Sequence, residues 1–220
     1  MKLIDNLYFY PEQGMLDSNT YLVKGNPGII IDPGSPQFLP ALIQELQKDG
    51  IQPGDIGIIV NTHLHGDHCW ANEEFRKISG AKILFHPQQK KFWQTTVIET
   101  ARFFGMPPME FTEDGYLDDT RLDAGDLELE LIASPGHSPD SICFYGRKEG
   151  FLICGDVIFA QNTGRVDLPG GDAGELKQSI ESLSQLPINH LLPGHMNILS
   201  SAEEVGRNFE FIRQNVFQWL

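Results

Sequence analysis

Three histidines and an aspartate fall within the six residues His63-Leu64-His65-Gly66-Asp67-His68. Imidazole nitrogens and carboxylate oxygens are ligands that divalent transition metals accept. In an extended backbone, side chains two residues apart project to the same side, so we expect His63, His65 and Asp67 to converge. Gly66 lets the backbone turn, and a helix that begins near His68 would direct this imidazole elsewhere. The segment therefore predicts two adjacent metal positions, with His68 at the second.

A common pattern places further ligands at the ends of later apolar stretches. Each stretch runs into a glycine followed at once by His or Asp, and glycine permits the tight turn that lets such a side chain face inward. A similar stretch, 56–61, precedes the histidine cluster. Five histidines and two aspartates at four strand ends can supply a dinuclear centre with positions left for water. The later stretches are 127–133 before Gly136-His137, 151–154 before Gly155-Asp156, and 190–192 before Gly194-His195.

The elements around these ligands follow from hydrophobic periodicity. Helical spacing of apolar residues predicts helices at 36–49, 71–78, 175–186 and 202–219. Short apolar runs predict strands at 3–10, 20–24, 28–31 and 82–85. Residues 87–115 carry several aromatic side chains, which indicate either ordinary helix packing or a lid over the site.

Composition restricts the class of protein. The 220 residues include 16 basic and 30 acidic side chains, a formal net charge of −14, which disfavours nucleic-acid partners. Without a Pro/Gly/Ser-rich linker, residues 1–220 are predicted to form a single domain. Asp5 and Asn6 interrupt the first apolar run, so we expect neither a secretory signal nor a membrane anchor, and a cytoplasmic enzyme.

The remaining histidines and the three cysteines are predicted to be structural. His86 and His190 lie beside probable strands. Cys143 and Cys154 lie in apolar runs, and Cys69, which directly follows His68, is expected to be packed in the core. An odd cysteine count without a Cys-x-x-Cys pair fits a reducing compartment.

The motifs resemble those of the metallo-β-lactamase superfamily, in particular its glyoxalase II-like (hydroxyacylglutathione hydrolase-like) members. The resemblance runs from Asn19-Thr20-Tyr21 and Asp32-Pro33-Gly34 to Pro193-Gly194-His195. It implies an α/β fold, a four-layer αββα sandwich. It also implies that Asp32 orients a ligand by hydrogen bonding. The implied ligands are His63, His65 and His137 for one metal, Asp67, His68 and His195 for the other, and Asp156 between both.

The resemblance implies a hydrolase of a small-molecule thioester or related acyl ester. Water held between two divalent ions loses its proton near neutral pH, and Asp67 would orient it as a catalytic residue. Zinc is the expected metal, and iron or manganese would accept the same ligands. Arg165 is expected either to hold a substrate carboxylate or to pair with Asp167. The sequence ends at Leu220 without the helical region that binds glutathione in glyoxalase II.

Three alternatives remain open at this stage. The first is a mononuclear iron persulfide dioxygenase that uses His63, His137 and Asp156. The second is a lactonase, which would share the metal chemistry and differ in its pocket. The third is a metal-binding protein without enzymatic activity, although structural zinc sites normally have four closed ligands.

Overall fold

Two mixed sheets form the centre of the structure, a computed structural model that describes residues 1–125 and 127–220. The strands of the first sheet lie in sequence order; the first four are antiparallel and the last four parallel. They are β1 (Lys2–Ile4), β2 (Leu7–Tyr10), β3 (Thr20–Val23), β4 (Gly28–Ile31), β5 (Ile56–Val60), β6 (Lys82–Phe85) and β7 (Gly115–Tyr116).

The second sheet is built from a meander and one returning strand. The meander consists of β8 (Arg121–Ala124), β9 (Leu127–Ala133), β10 (Ile142–Gly146) and β11 (Phe151–Gly155). A separate hairpin follows, β12 (Ile158–Phe159) and β13 (Asn162–Thr163). Finally, β14 (His190–Pro193) pairs in parallel with β11. This pairing puts the carboxyl ends of β11 and β14 at the same edge of the sheet.

Helices cover the outer faces of both sheets. They are α1 (Leu39–Lys48), α2 (Gly66–Cys69), α3 (Asn72–Ser79), α4 (Pro87–Lys91), α5 (Thr100–Phe103), α6 (Ala173–Leu183) and α7 (Ala202–Phe211), with π-helical turns at Gln94–Glu99 and Ile212–Val216. The side chains of Asp172 and Ser201 accept backbone hydrogen bonds at the starts of α6 and α7, which satisfies donors that a helix start leaves free.

Three buried apolar clusters separate the four layers. Side chains alternate along β4, so Ile30 packs with α1 and α3 while Ile29 and Ile31 pack between the sheets. On the far side, Leu152 of β11 packs with Ile180 of α6. The four-layer αββα sandwich expected from the sequence is therefore confirmed.

Two predicted elements differ from the structure. The predicted strand 3–10 is a hairpin of β1 and β2, because Asn6 adopts a positive φ of 65° and reverses the chain. The helix predicted from residue 36 begins only at Leu39, with Pro40 in its first turn, where a missing amide proton costs nothing. The remaining predicted helices and strands shift at their ends only.

Residues 87–115 form neither a free lid nor a plain packed helix. On one face of this segment, Trp93 and Ile98 pack with the core beneath the first sheet. Its other face includes Ala101 and Phe104, which line a cavity beside the histidine cluster. The segment therefore acts as a wall with one buried face and one open face.

No helix in the described part of the chain is both long and apolar enough to cross a bilayer.

Candidate metal centre

The centre lies where four strands end at one edge of the sandwich. After β5 the backbone bends at Thr62 and His63, is extended at His65, and enters α2 at Gly66. Nε2 of His63 consequently lies 3.0 Å from Nδ1 of His65. Asp67 is already helical and does not join these two histidines; it groups with His68 and His195. The convergence of Asp67 with His63 and His65 that alternation predicts does not occur, because the helix starts before Asp67.

The first group of ligand atoms joins both sheets. Nδ1 of His65 lies 2.9 Å from Nε2 of His137, which follows β9. Ligand atoms of His63, His65 and His137 all lie within 4.8 Å of one another, and the three side chains are buried. Three imidazoles that converge in this way could hold a divalent ion.

The second group lies beside the first, with Asp156 between them. Oδ2 of Asp67 is 3.3 Å from Nε2 of His195, and His68 completes the group. Oδ1 of Asp156 is 3.3 Å from Nε2 of His68. Its Oδ2 lies 3.5 Å from Nε2 of both His137 and His195. One carboxylate therefore faces both groups, as a shared ligand would.

Several atoms at this point have no hydrogen-bond partner among the described residues. They are Nε2 of His65, Nε2 of His68 and Oδ1 of Asp156, all buried. A buried polar atom without a partner costs free energy, and each such atom in a native structure requires an explanation. His65 faces the centre through Nδ1, so its Nε2 lies on the outer edge of the ring. Metal coordination would satisfy Nε2 of His68 and Oδ1 of Asp156, and the residues fit a pair of divalent ions.

Three oxygen atoms hold the opposite ring nitrogens of three histidines. Oδ2 of Asp32 lies 2.9 Å from Nδ1 of His68. The backbone oxygen of Arg165 lies 2.7 Å from Nδ1 of His137, and Oε2 of Glu12 lies 2.7 Å from Nδ1 of His195. Such contacts fix ring orientation and the position of the proton.

Sequence reasoning missed Glu12 and the role of the Arg165 backbone. Glu12 lies 183 residues from His195 in the chain, and its surroundings contain no motif. The contact from Arg165 uses a main-chain oxygen, which any residue would supply. Of the three residues that supply these oxygens, only Asp32 lies in a recognisable sequence motif, the Asp-Pro-Gly turn.

The β3 motif Asn19-Thr20-Tyr21 holds the loop that carries His195. The Asn19 amide donates to the backbone oxygens of Pro193 and Met196, both at 3.0 Å, and the Tyr21 hydroxyl donates to Pro193 at 2.7 Å. The first sheet thereby positions a ligand that belongs to the second.

Burial keeps the first group in the neutral form that binds metal. Loss of solvation lowers the pKa of His65 to about 3 and also lowers the pKa values of His63 and His137. A neutral imidazole needs no deprotonation before it coordinates an ion.

The second group lies in a strongly negative field. Burial opposes the positive charge of His68, but Asp156 and Asp32 outweigh it and raise its pKa to about 10. Burial again opposes the charge of His195, and Asp156 and Asp67 raise its pKa to about 12. The raised pKa values mean that His68 and His195 hold protons beside these carboxylates. A divalent cation that binds here would displace those protons.

Other candidate residues lie outside both groups. Arg165 forms a two-contact ion pair with Asp167 at 2.6 Å while it lines the cavity. His86 is buried at the start of α4, where Nδ1 accepts the amide of Gln88. His190 begins β14, away from the ligands. The three cysteines are buried and free of disulfides.

A cavity of about 430 Å³ opens onto the centre. Side chains from both groups line it, including His65, Asp67, His137 and His195 together with Asp156. Its volume lies within the range of small-molecule sites. A substrate can therefore reach the ligand atoms from this side.

Comparison with known proteins places the chain in a family. The sequence profile of the metallo-β-lactamase superfamily matches residues 14–195. The chain belongs to this superfamily, whose members bind divalent metals and are generally enzymes.

Individual relatives agree with this assignment. A probable metallo-hydrolase of Methanocaldococcus jannaschii is 34% identical over 189 residues, covering 82% of this chain and 88% of its own. The hydroxyacylglutathione hydrolase GloC of Haemophilus influenzae is 29% identical, covering 81% and 84%. Among solved structures, TTHA1623 in a di-iron-bound form has a TM-score of 0.73 at 27% identity, covering 90% and 98%. The B3 metallo-β-lactamase BLEG-1 has a TM-score of 0.76 at 28% identity, covering 90% and 95%.

Proposed function

We propose that this protein is a dinuclear metal-dependent hydrolase of small-molecule thioesters or related acyl esters. The observation that carries the proposal is the shared position of Asp156 between two ligand groups, where its Oδ1 and the facing Nε2 of His68 have no hydrogen-bond partner among the described residues. Under this proposal, one ion is held by His63, His65 and His137, the other by Asp67, His68 and His195, with Asp156 facing both.

The protein's own residues would bind, orient and move protons. Bound divalent ions supply an activated water and polarise the substrate carbonyl. Asp67 lines the cavity and is held ionised: burial raises its pKa, but His68 and His195 outweigh burial and lower it. Its carboxylate can therefore accept a hydrogen bond from the attacking water and orient it. Asp32 keeps His68 turned toward the centre.

The relatives support hydrolysis of an acyl bond. The Haemophilus influenzae relative GloC is a hydroxyacylglutathione hydrolase. TTHA1623, which has a related fold, has a crystal structure in a di-iron-bound form. Zinc remains the metal we propose for this chain, because imidazole-rich sites of this kind suit it.

The first experiment is elemental analysis of protein purified without added metal, followed by hydrolysis assays on thioesters, esters, lactones and a β-lactam. We expect close to two ions per chain and turnover of thioesters. One iron per chain, with oxygen consumption on a persulfide, would instead support the dioxygenase alternative. Metal binding with no turnover on any substrate would support the alternative of a metal-binding protein without enzymatic activity.

Two substitutions test the residue roles. Asp67→Ala and Asp156→Ala should each lower kcat/KM by several orders of magnitude with the circular dichroism spectrum unchanged. His190→Ala, at a histidine outside the ligand groups, serves as the control and should retain activity. Near-normal hydrolysis by either aspartate variant would contradict the proposal.

A further inference from the structure

The cavity beside the ligands has one apolar wall that belongs to the segment 94–109. Thr96, Val97 and Ala101 contribute from its helical turns, and Met106 and Met109 from the loop after α5. Trp70, which follows α2, extends the apolar lining next to the ligands. The polar atoms of the cavity are thus concentrated at the metal end.

Positive charge is scarce in this lining. Among the described residues that line the cavity, Arg165 is the one arginine and no lysine is present. Its guanidinium is already paired with Asp167 through two contacts of 2.6 Å. A polyanionic leaving group would need cations that the lining does not offer.

The wall is fixed in place by a buried carboxyl group. Asp140 accepts a hydrogen bond from the Thr96 hydroxyl at 3.0 Å and another from the backbone amide of Leu64 at 3.1 Å. Leu64 lies between the two ligands His63 and His65. The apolar wall and the metal loop are therefore held at a set distance before any substrate binds.

The apolar lining continues to the surface. Leu16 and Phe104 line the cavity and are also 54% and 52% exposed. Covering this exposed apolar surface with another apolar group is favourable, because it removes the surface from water. A flexible chain that starts at the metal end could extend past them toward solvent.

We propose that the cavity binds an unbranched apolar acyl chain of the substrate, several methylenes long, and that the leaving thiol or alcohol is bound without charge recognition. This inference rests on the proposed function. In the reaction, water forms the new C–O bond, the C–S or C–O bond to the leaving group breaks, and the water proton passes to the leaving group. The products are a medium-chain carboxylic acid and a thiol or alcohol.

The test is a series of acetyl, butanoyl, hexanoyl and octanoyl thioesters of N-acetylcysteamine with the metal-loaded full chain. We expect kcat/KM to rise roughly fourfold for each added methylene until the cavity is filled. Octanoyl glutathione should show no advantage over the octanoyl ester of N-acetylcysteamine. Equal rates along the series, or a clear preference for glutathione esters, would overturn the inference while leaving the hydrolase assignment intact.

A matched pair of variants tests where the acyl chain of the substrate binds. Ala101→Phe adds bulk inside the cavity, and Arg102→Phe adds the same group to an exposed neighbour on α5. We expect Ala101→Phe to lower kcat/KM for the octanoyl substrate at least tenfold more than for the acetyl substrate. Arg102→Phe should change neither. An equal loss on both substrates would place the acyl chain elsewhere.

Binding of the product separates the two proposals. Calorimetric titration with octanoate should give tighter binding than acetate by at least tenfold, and Ala101→Phe should abolish the difference. If no thioester is hydrolysed but octanoate still binds in this way, the hydrolase assignment fails and the apolar site stands. If neither chain length binds preferentially, the inference fails whatever the activity.

Discussion

At the scale of single residues, three histidines of the centre share one arrangement. Each has a ring nitrogen among the ligand atoms and the other nitrogen against an oxygen: His68 against Asp32, His137 against the Arg165 backbone, and His195 against Glu12. A negative partner makes an imidazole a stronger ligand and limits ring rotation. The outer oxygens therefore determine how well the inner nitrogens bind.

Glu12 gives a prediction at this scale. Its Oε2 holds His195, and its Oε1 accepts the backbone amide of Met196 at 3.1 Å. Glu12→Gln removes the negative charge, so we expect the affinity for one of two ions to fall by about tenfold. Competition with a chromophoric chelator measures it, and Glu128→Gln, at an exposed strand position, is the control. Unchanged affinity at both ions would show that Glu12 does not support His195.

Ligand candidates could be recognised from the sequence, and their supporting partners could not. His137, Asp156 and His195 each follow a glycine at a strand end, a local signal. Glu12 acts across the fold and lies in no comparable pattern. The placement of Asp67 depended on where α2 begins, and helix starts are poorly determined by periodicity alone.

At the scale of elements, the centre depends on close approach of the loops that follow β11 and β14. The amide of Gly194 donates to the backbone oxygen of Gly155 at 2.8 Å. A β-carbon at Gly194 would lie 2.7 Å from Cε1 of His68 and 3.0 Å from the carbonyl carbon of Gly155. Only glycine lets these two loops pack this tightly.

Gly194→Ala is the corresponding prediction. We expect the loop to move away from His68, with a loss of at least one bound ion per chain in elemental analysis and a matching fall in kcat/KM. Gly206→Ala on α7, where a β-carbon meets open space, is the control; it should keep both ions and stabilise the protein by about 1 kcal/mol in denaturant unfolding. Full metal content in Gly194→Ala would contradict the packing argument.

Strand positions could be predicted from the sequence because half-exposed and fully buried strands have different hydrophobic patterns. β9 is half-exposed and alternates, with Leu129 buried and Glu128 exposed. β10 and β11 are buried on both faces and read as continuous apolar runs. The turn at Asn6 was missed because it needs a positive φ, which a side chain other than glycine signals weakly.

At the scale of the whole molecule, charge and metal content are linked. The chain has a formal net charge of −14. Two buried carboxylates, Asp32 and Asp156, and the half-buried Asp67 concentrate part of this charge at one edge of the sandwich. Burial opposes the charge of Asp156, yet His68 and His195 hold its pKa well below the usual range. Divalent ions would relieve the repulsion among these groups.

Metal removal should therefore destabilise the fold. Because a ligand that binds only the folded state stabilises it by mass action, metal at 100 times its dissociation constant would contribute about 2.7 kcal/mol. We expect Tm to fall after dialysis against a chelator and to recover on addition of zinc. Asp156→Ala, as the control, should have a Tm that responds little to either treatment. A Tm that stays constant through removal and readdition would argue against ions between the sheets.

The order of the strands has a consequence for how the protein is made. Ligands come from the ends of β5, β9, β11 and β14, and β14 is the last strand of the described chain, inserted beside β11. A nascent chain emerging from the ribosome cannot assemble the second ligand group until His195 has left the exit tunnel and β14 has docked. Under the proposed function, metal capture at the second ligand group is therefore a late event of synthesis.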